Sequence, residues 1–217
     1  MATDPSERGG EREIELRWRG PLRIPKLAAA IGDSLADFEM PHVYFSVQEY
    51  PGAQQPDMKI VYVGRARDFL KRMLEHYRYF LGFGYWLRNE QGQEIYKVEP
   101  KAHLERLDGI DHSILDAVSE AKRISYFCAT CQEGDIAAVE SALINHVMDR
   151  VDRENRVGRE NSPPPGLSCD NSRREQNGAE GERLAIIHEA HDDHPETIAY
   201  LDLVFGAKRI SWGAERG

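Results

Sequence analysis

The sequence predicts an α+β domain: a small, mostly antiparallel sheet of about three strands flanked by helices. Three observations predict it. Short β-branched and aromatic runs stand at His42–Val47 and Ile60–Val63, and a third, ISYFCAT, follows at Ile124–Thr130. Apolar residues recur at helical spacing in the segments around them. The strands are few and the helices several, which favours a compact mixed domain over a sandwich or a bundle.

In chain order, residues 1–12 are charged and poor in apolar groups, and residues 1–20 are expected to form a flexible tail. Leu27, Ile31, Leu35 and Phe38 then repeat with helical period, and Pro25 sits where a helix start tolerates it, so Ile24–Phe38 reads as a first helix. PGAQQPD between the first two strand runs is turn chemistry and makes them a hairpin. Asp68 is a good opening residue for a helix that puts Phe69, Leu70, Met73, Leu74 and Tyr77 on one face. A second hairpin is expected around Asn89–Gly92, a helix across HSILDAVSEAKRI, and an amphipathic helix across DIAAVESALINHVMDRV with Ile136, Val139, Leu143, Ile144 and Val147 inward. The Pro triplet and repeated Asn and Gly of residues 154–183 read as a long loop. The expected organisation is therefore a main domain over 21–156, a linker over 157–183, and a C-terminal appendage over 184–217 that packs back on the core.

The chain has 217 residues, and 28 Lys and Arg against 37 Asp and Glu leave a net charge of −9. No stretch approaches the roughly 18 uncharged apolar residues of a membrane span. The first twenty residues lack the apolar middle of a secretory signal, so the expected address is the cytoplasm, with no membrane partner. Three cysteines, Cys128, Cys131 and Cys169, are too few and odd for a disulfide framework. The acidic total argues against coating nucleic acid by bulk charge, yet charge is unevenly spread. Between Lys59 and Arg78 stand six basic residues and two acidic ones, whereas residues 132–217 hold ten basic and seventeen acidic. A nucleic acid should approach the strand–helix junction.

That junction carries the chemistry. His42-Val43-Tyr44 in the first strand is followed, eighteen residues from tyrosine to tyrosine, by Tyr62-Val63-Gly64, a loop Arg65-Ala66-Arg67-Asp68, and a helix bearing Arg72 and His76. This resembles the GIY-YIG nuclease superfamily, over about residues 41–156, although the first triplet keeps only its tyrosine. The resemblance implies a GIY-YIG-like core with insertions and a divalent-metal-dependent endonuclease acting on DNA, with Tyr44, Tyr62, Arg72 and His76 catalytic. It further implies Glu140 as ligand of Mg²⁺ (or Mn²⁺), Asn155 as the residue orienting the phosphate, with Asn161 and Asn171 as weaker matches, and Gly64, Arg65, Arg67 and Lys71 against DNA. A homodimer is expected for a double-strand cut.

Physical chemistry gives its own reasons for these residue types. Phosphodiester hydrolysis needs a positioned water, a base for its proton and positive charge where the phosphorane gathers negative charge. Arg72 and His76 are four apart, so they share one helix face, and a guanidinium clamps phosphate oxygens bidentately. A phenol with a pKa of about 10 is a poor base unaided, and nearby cations or a metal-bound water are expected to supply the nucleophile.

Three rival readings compete. An inactive protein of the same fold would bind nucleic acid or a partner without cutting. Cys128-Ala129-Thr130-Cys131 is a C-x-x-C that suggests a zinc-binding adaptor, but it has no second pair. His188, Glu189, His191, Asp192, Asp193 and His194 are rich in ligand types but miss the helical zinc-protease spacing by one residue. Tyr79, Tyr85 and Trp86 would stack on bases if exposed, and read better as core.

Overall fold

A computed structural model describes residues 11–27, 32, 35–51, 58–82, 87–88, 94–96, 110–161, 167–171 and 183–213. The elements are β1 (Arg12–Leu22), a 3₁₀ turn (Ile24–Lys26), α1 (Leu35–Phe38), β2 (His42–Tyr50), β3 (Met58–Ala66), α2 (Phe69–Leu81), β4 (Leu87–Arg88), β5 (Glu94–Tyr96), α3 (Ile110–Lys122) and β6 (Ile124–Thr130). They continue with α4 (Ile136–Asn161), β7 (Leu167–Cys169), β8 (Leu184–Ala190), a 3₁₀ turn (His191–Asp193), α5 (Pro195–Val204) and β9 (Arg209–Trp212).

The protein is α+β, but its sheet is not the small, mostly antiparallel one of about three strands. Seven strands join in the order β7-β3-β2-β6-β1-β8-β9. The three expected strands are present and mutually antiparallel, β2 pairing with β3 and β6. The sheet then extends on both sides and becomes mixed: β1 runs antiparallel to β6 but parallel to β8, and β7 runs parallel to β3.

Each addition has a physical reason. Ile14, Leu16 and Trp18 alternate with Glu13, Glu15 and Arg17, and the alternation is that of a strand with one buried face. Leu16 and Trp18 are fully buried, so residues 12–20 belong to a sheet strand and not to a tail. The C-terminal segment is likewise no appendage. β8 pairs with β1 from Arg12↔Leu184 to Trp18↔Ala190, which closes contacts more than 170 positions apart in the chain. The helix expected to end near residue 151 runs to Asn161, and β7 lies inside the stretch expected to be loop. Of the first expected helix, the described parts are the 3₁₀ turn at Ile24 and the single turn α1. β4 and β5 form the second hairpin as a separate antiparallel pair.

Alternation divides the sheet into two cores. Val43, Phe45, Val61, Val63, Leu16 and Trp18 pack on one side against α4 and α5. Tyr44, Tyr126, Cys128 and Ala66 pack on the other side against Phe69, Met73 and Phe80 of α2 and Ala117 and Ala121 of α3. At the far end of that second face, buried Glu120 accepts from the Tyr50 hydroxyl, the Arg88 amide and the Arg123 guanidinium, so this buried carboxylate is fully engaged. Among the described residues, no helix is long and apolar enough to cross a membrane.

Candidate active site

β2 and β3 place Tyr44 directly opposite Gly64 and Ser46 opposite Tyr62. Tyr44, Tyr62 and Gly64 therefore project on the α2 side of the sheet. Asp68 caps α2 by accepting from the Lys71 amide at 2.8 Å, which fixes where the helix begins. One turn on, Arg72 and His76 come down on the same ground.

The contacts are direct. Arg72 Nε donates to the Tyr44 hydroxyl at 3.2 Å, and the Tyr44 hydroxyl lies 2.8 Å from His76 Nε2. Tyr62 joins this group through its ring, which packs beside those of Tyr44 and His76. The two phenol rings sit 6.1 Å apart, and His76 meets both rings edge-on at 5.8 Å. Tyr44 is 1% exposed and His76 8%, whereas the Arg72 side chain is 34% exposed. Solvent reaches the guanidinium, and the phenol beneath it is dry.

Gly64 is required by this packing. A Cβ there would stand 2.6 Å from both Cζ and Oη of Tyr44 and 2.9 Å from Cε1 of Tyr62, closer than van der Waals contact permits. The glycine of the Tyr62-Val63-Gly64 triplet thus makes room for the Tyr44 ring.

Burial sets the protonation states. It pushes the Tyr44 phenol above its ordinary value, and the Arg72 hydrogen bond and charge offset this only in part. The expectation that neighbouring cations lower this phenol's pKa is therefore wrong for Tyr44. Burial, helped by the Arg72 charge, lowers His76 to about 4, so at neutral pH its imidazole is uncharged. With Arg72 donating to the Tyr44 oxygen, the Tyr44 proton is available to His76 Nε2, and His76 then carries its own proton on Nδ1.

A pH dependence follows. His76 titrates near 6.5 when unfolded and near 4 when folded, and buried His188 is lowered to about 3 for the same reason. Between these limits the unfolded chain binds more protons than the folded one, so stability should fall as pH drops from about 6.5 toward 4. Urea titrations at pH 7, 5.5 and 4.5 check this, and His76→Gln should flatten the slope.

The remaining expected residues divide. Arg65 points to the other face of the sheet, where its Nε lies 3.3 Å from Oε2 of Glu140 on α4. Glu140 is 5% exposed, so the tyrosines and Glu140 flank β3 from opposite sides. Arg67 is highly exposed and pairs with Glu133 at 2.9 Å, and Lys71 is exposed on the first turn of α2. The side chains of Asn155 and Asn161 lie outside the described residues.

Asn171, one of the two weaker matches, sits beside the cluster. Its Oδ1 accepts from the Val63 amide at 2.7 Å and its Nδ2 donates to the Val63 carbonyl at 2.8 Å. The side chain thereby continues the ladder that β7 makes with Lys59–Val61 and pins β3 between Tyr62 and Gly64. Asn171→Ala strips both partners from an edge-strand peptide and should cost about 1–2 kcal/mol in urea unfolding. The sequence reading favours Asn155 and takes residues 154–183 as loop, so it offers no strand on which to place Asn171.

No known family, curated protein or solved structure matches this chain. The geometry carries the functional argument. Cys128, in β6, packs in one core and Cys131, just past the end of β6, in the other, and burial raises the pKa of both thiols, which argues against a zinc pair. His188 is turned inward, accepting from Trp18 Nε1 at 3.0 Å, while His191 pairs with Asp192 at 2.6 Å. Among the described residues, no group of three or more His, Cys, Asp or Glu is arranged to hold a metal. Tyr79 is exposed, contrary to the core reading, and Tyr85 and Trp86 lie outside the described residues.

Proposed function

We propose that this protein is a divalent-metal-dependent DNA endonuclease of GIY-YIG type. The observation that carries the reading is the hydrogen-bonded set Arg72, Tyr44 and His76, with the Tyr62 ring packed beside it on the same face, arranged around a glycine whose missing Cβ admits the Tyr44 ring. A part-exposed guanidinium can clamp a phosphate and stabilise the phosphorane. Tyr62, half-buried above Tyr44, orients the attacking water. The attacking water gives its proton to solvent by way of the Tyr62 hydroxyl and the leaving oxygen takes one back from solvent, while Arg72 and uncharged His76 hold the Tyr44 hydroxyl in place. Exposed Lys71 and Arg67 would meet the DNA backbone, Arg65 being turned to the other face toward Glu140, and a homodimer would deliver a double-strand cut.

Glu140 is the carboxylate the resemblance assigns to the ion; it is buried on the face away from the tyrosines and already paired with the Arg65 guanidinium, which an ion would have to displace. Glu140 would hold the ion, most of whose ligands would be water, as Mg²⁺ prefers. When bound, the ion supplies charge neutralisation and a more acidic water. The test is nicking of supercoiled plasmid in a Mg²⁺ and Mn²⁺ series. Wild type should nick and Glu140→Ala should not.

A second reading, a nucleic-acid-binding or interaction protein without catalysis, is favoured by the engagement of Glu140 by Arg65 on the face away from the tyrosines. Retained DNA binding with no nicking in any metal would select it.

A further inference from the structure

The parallel pairing of β1 and β8 ends at Trp18↔Ala190. Beyond it β1 stays with β6, while the chain after β8 turns away through His191–Asp193 into α5. Both strands run the same way, so the gap between them opens at their carboxyl ends, where ligands bind in open sheets with parallel strands. A cavity of about 460 Å³ fills this gap, within the size range of small-molecule sites.

Its lining is bipolar. Arg19 and Arg23 supply two guanidiniums, Pro21, Leu22 and Phe38 an apolar wall, and Asp192 and Glu196 two carboxylates. Arg19 Nη1 donates to Asp37 Oδ2 at 2.8 Å, and its Nη2 faces His191 Nε2 at 3.3 Å. Arg23 Nη2 donates to Glu196 Oε1 at 2.9 Å and its Nε to Ser125 Oγ at 3.1 Å. Both carboxylate partners are about half exposed, and surface pairs of this kind are weak. A doubly charged phosphate with bidentate geometry competes well against them. The cavity is too large for phosphate alone. Its apolar wall suits a ring, and Asp192 and Glu196 suit sugar hydroxyls or amino groups. Asp192 is held at φ 60°, a conformation uncommon outside glycine.

We propose that this cavity is a binding site for a nucleoside monophosphate unit, with Arg19 and Arg23 on the phosphate. It goes beyond the nuclease reading and does not depend on it. It also neighbours the tyrosine cluster: Arg19 lies over Phe38 at 5.8 Å, Phe38 meets Phe69 at 6.1 Å, and Phe69 meets Tyr44 at 5.8 Å. The unit is therefore either a free nucleotide or a nucleotide of a bound strand.

Calorimetric titration of the whole chain with AMP, adenosine and inorganic phosphate tests it. AMP should bind with a Kd below about 1 mM, with adenosine at least about tenfold weaker. Arg19→Gln and Arg23→Gln should each weaken AMP about tenfold or more while the unfolding midpoint hardly moves. Arg19→Lys keeps the charge without the fork and should fall between, which guards against a folding artefact. Arg72→Ala should leave AMP binding unchanged. Displacement of AMP by a 5′-phosphorylated trinucleotide assigns the site to a strand, and failure to displace it assigns the site to free nucleotides. Both uphold the phosphate site. Equal binding of adenosine and AMP, AMP affinity indifferent to both arginines, or no binding up to about 5 mM would overturn it.

Discussion

Arg72→Ala should lower phosphodiester cleavage by about 10²–10³-fold while leaving a folded protein. The guanidinium is the cluster's one permanent charge, and its side chain is a third exposed, so it can meet a phosphate without unfolding α2. Its loss removes both the charge that stabilises the phosphorane and the donor that orients the Tyr44 oxygen. Arg72→Lys restores the charge but not the fork, so it should recover only part of the rate. The effect belongs in the rate at saturating DNA, because on this proposal exposed Lys71 and Arg67 would still hold the backbone. A loss confined to DNA affinity would make Arg72 an ordinary phosphate contact.

Gly64→Ala should damage the candidate site more than any other single added methyl there. The added Cβ would overlap the rigid Tyr44 ring at 2.6 Å, and Tyr44 cannot retreat because Phe69, Tyr62 and His76 surround it. Overpacking of this kind costs about 1–3 kcal/mol, visible in urea or thermal unfolding. Activity should fall further than stability explains, since the displaced hydroxyl is the one shared by Arg72 and His76. Pairing Gly64→Ala with Tyr44→Phe leaves the ring clash in place, whereas Tyr44→Ala opens space and should recover stability without recovering cleavage.

Much of the site was readable before the fold was. Tyr44, Tyr62, Gly64, Arg72 and His76 are local to a hairpin and the helix after it, so spacing alone brings them near one another. Glu140 was readable as a residue but not by side, because its place depends on α4 packing against the opposite face. The sheet's true size was hidden for a similar reason. β1 and β8 pair across more than 170 positions, and no local pattern announces a partner that distant. In β1 the charged half of the alternation masks the buried half, so Trp18 read as part of a tail. Asn171 was obscured because a single side chain does the work of a strand there.

The central claim is that the tyrosine–arginine–histidine cluster cuts phosphodiester bonds. Its most direct test is the single-turnover rate on end-labelled duplex DNA with Mg²⁺, for wild type beside Tyr62→Phe, which keeps the ring and removes only the hydroxyl. Cleavage by wild type with a loss of about 10²-fold or more in Tyr62→Phe is the expected result. Equal rates for the two proteins, or no cleavage by wild type with any divalent ion, would contradict it.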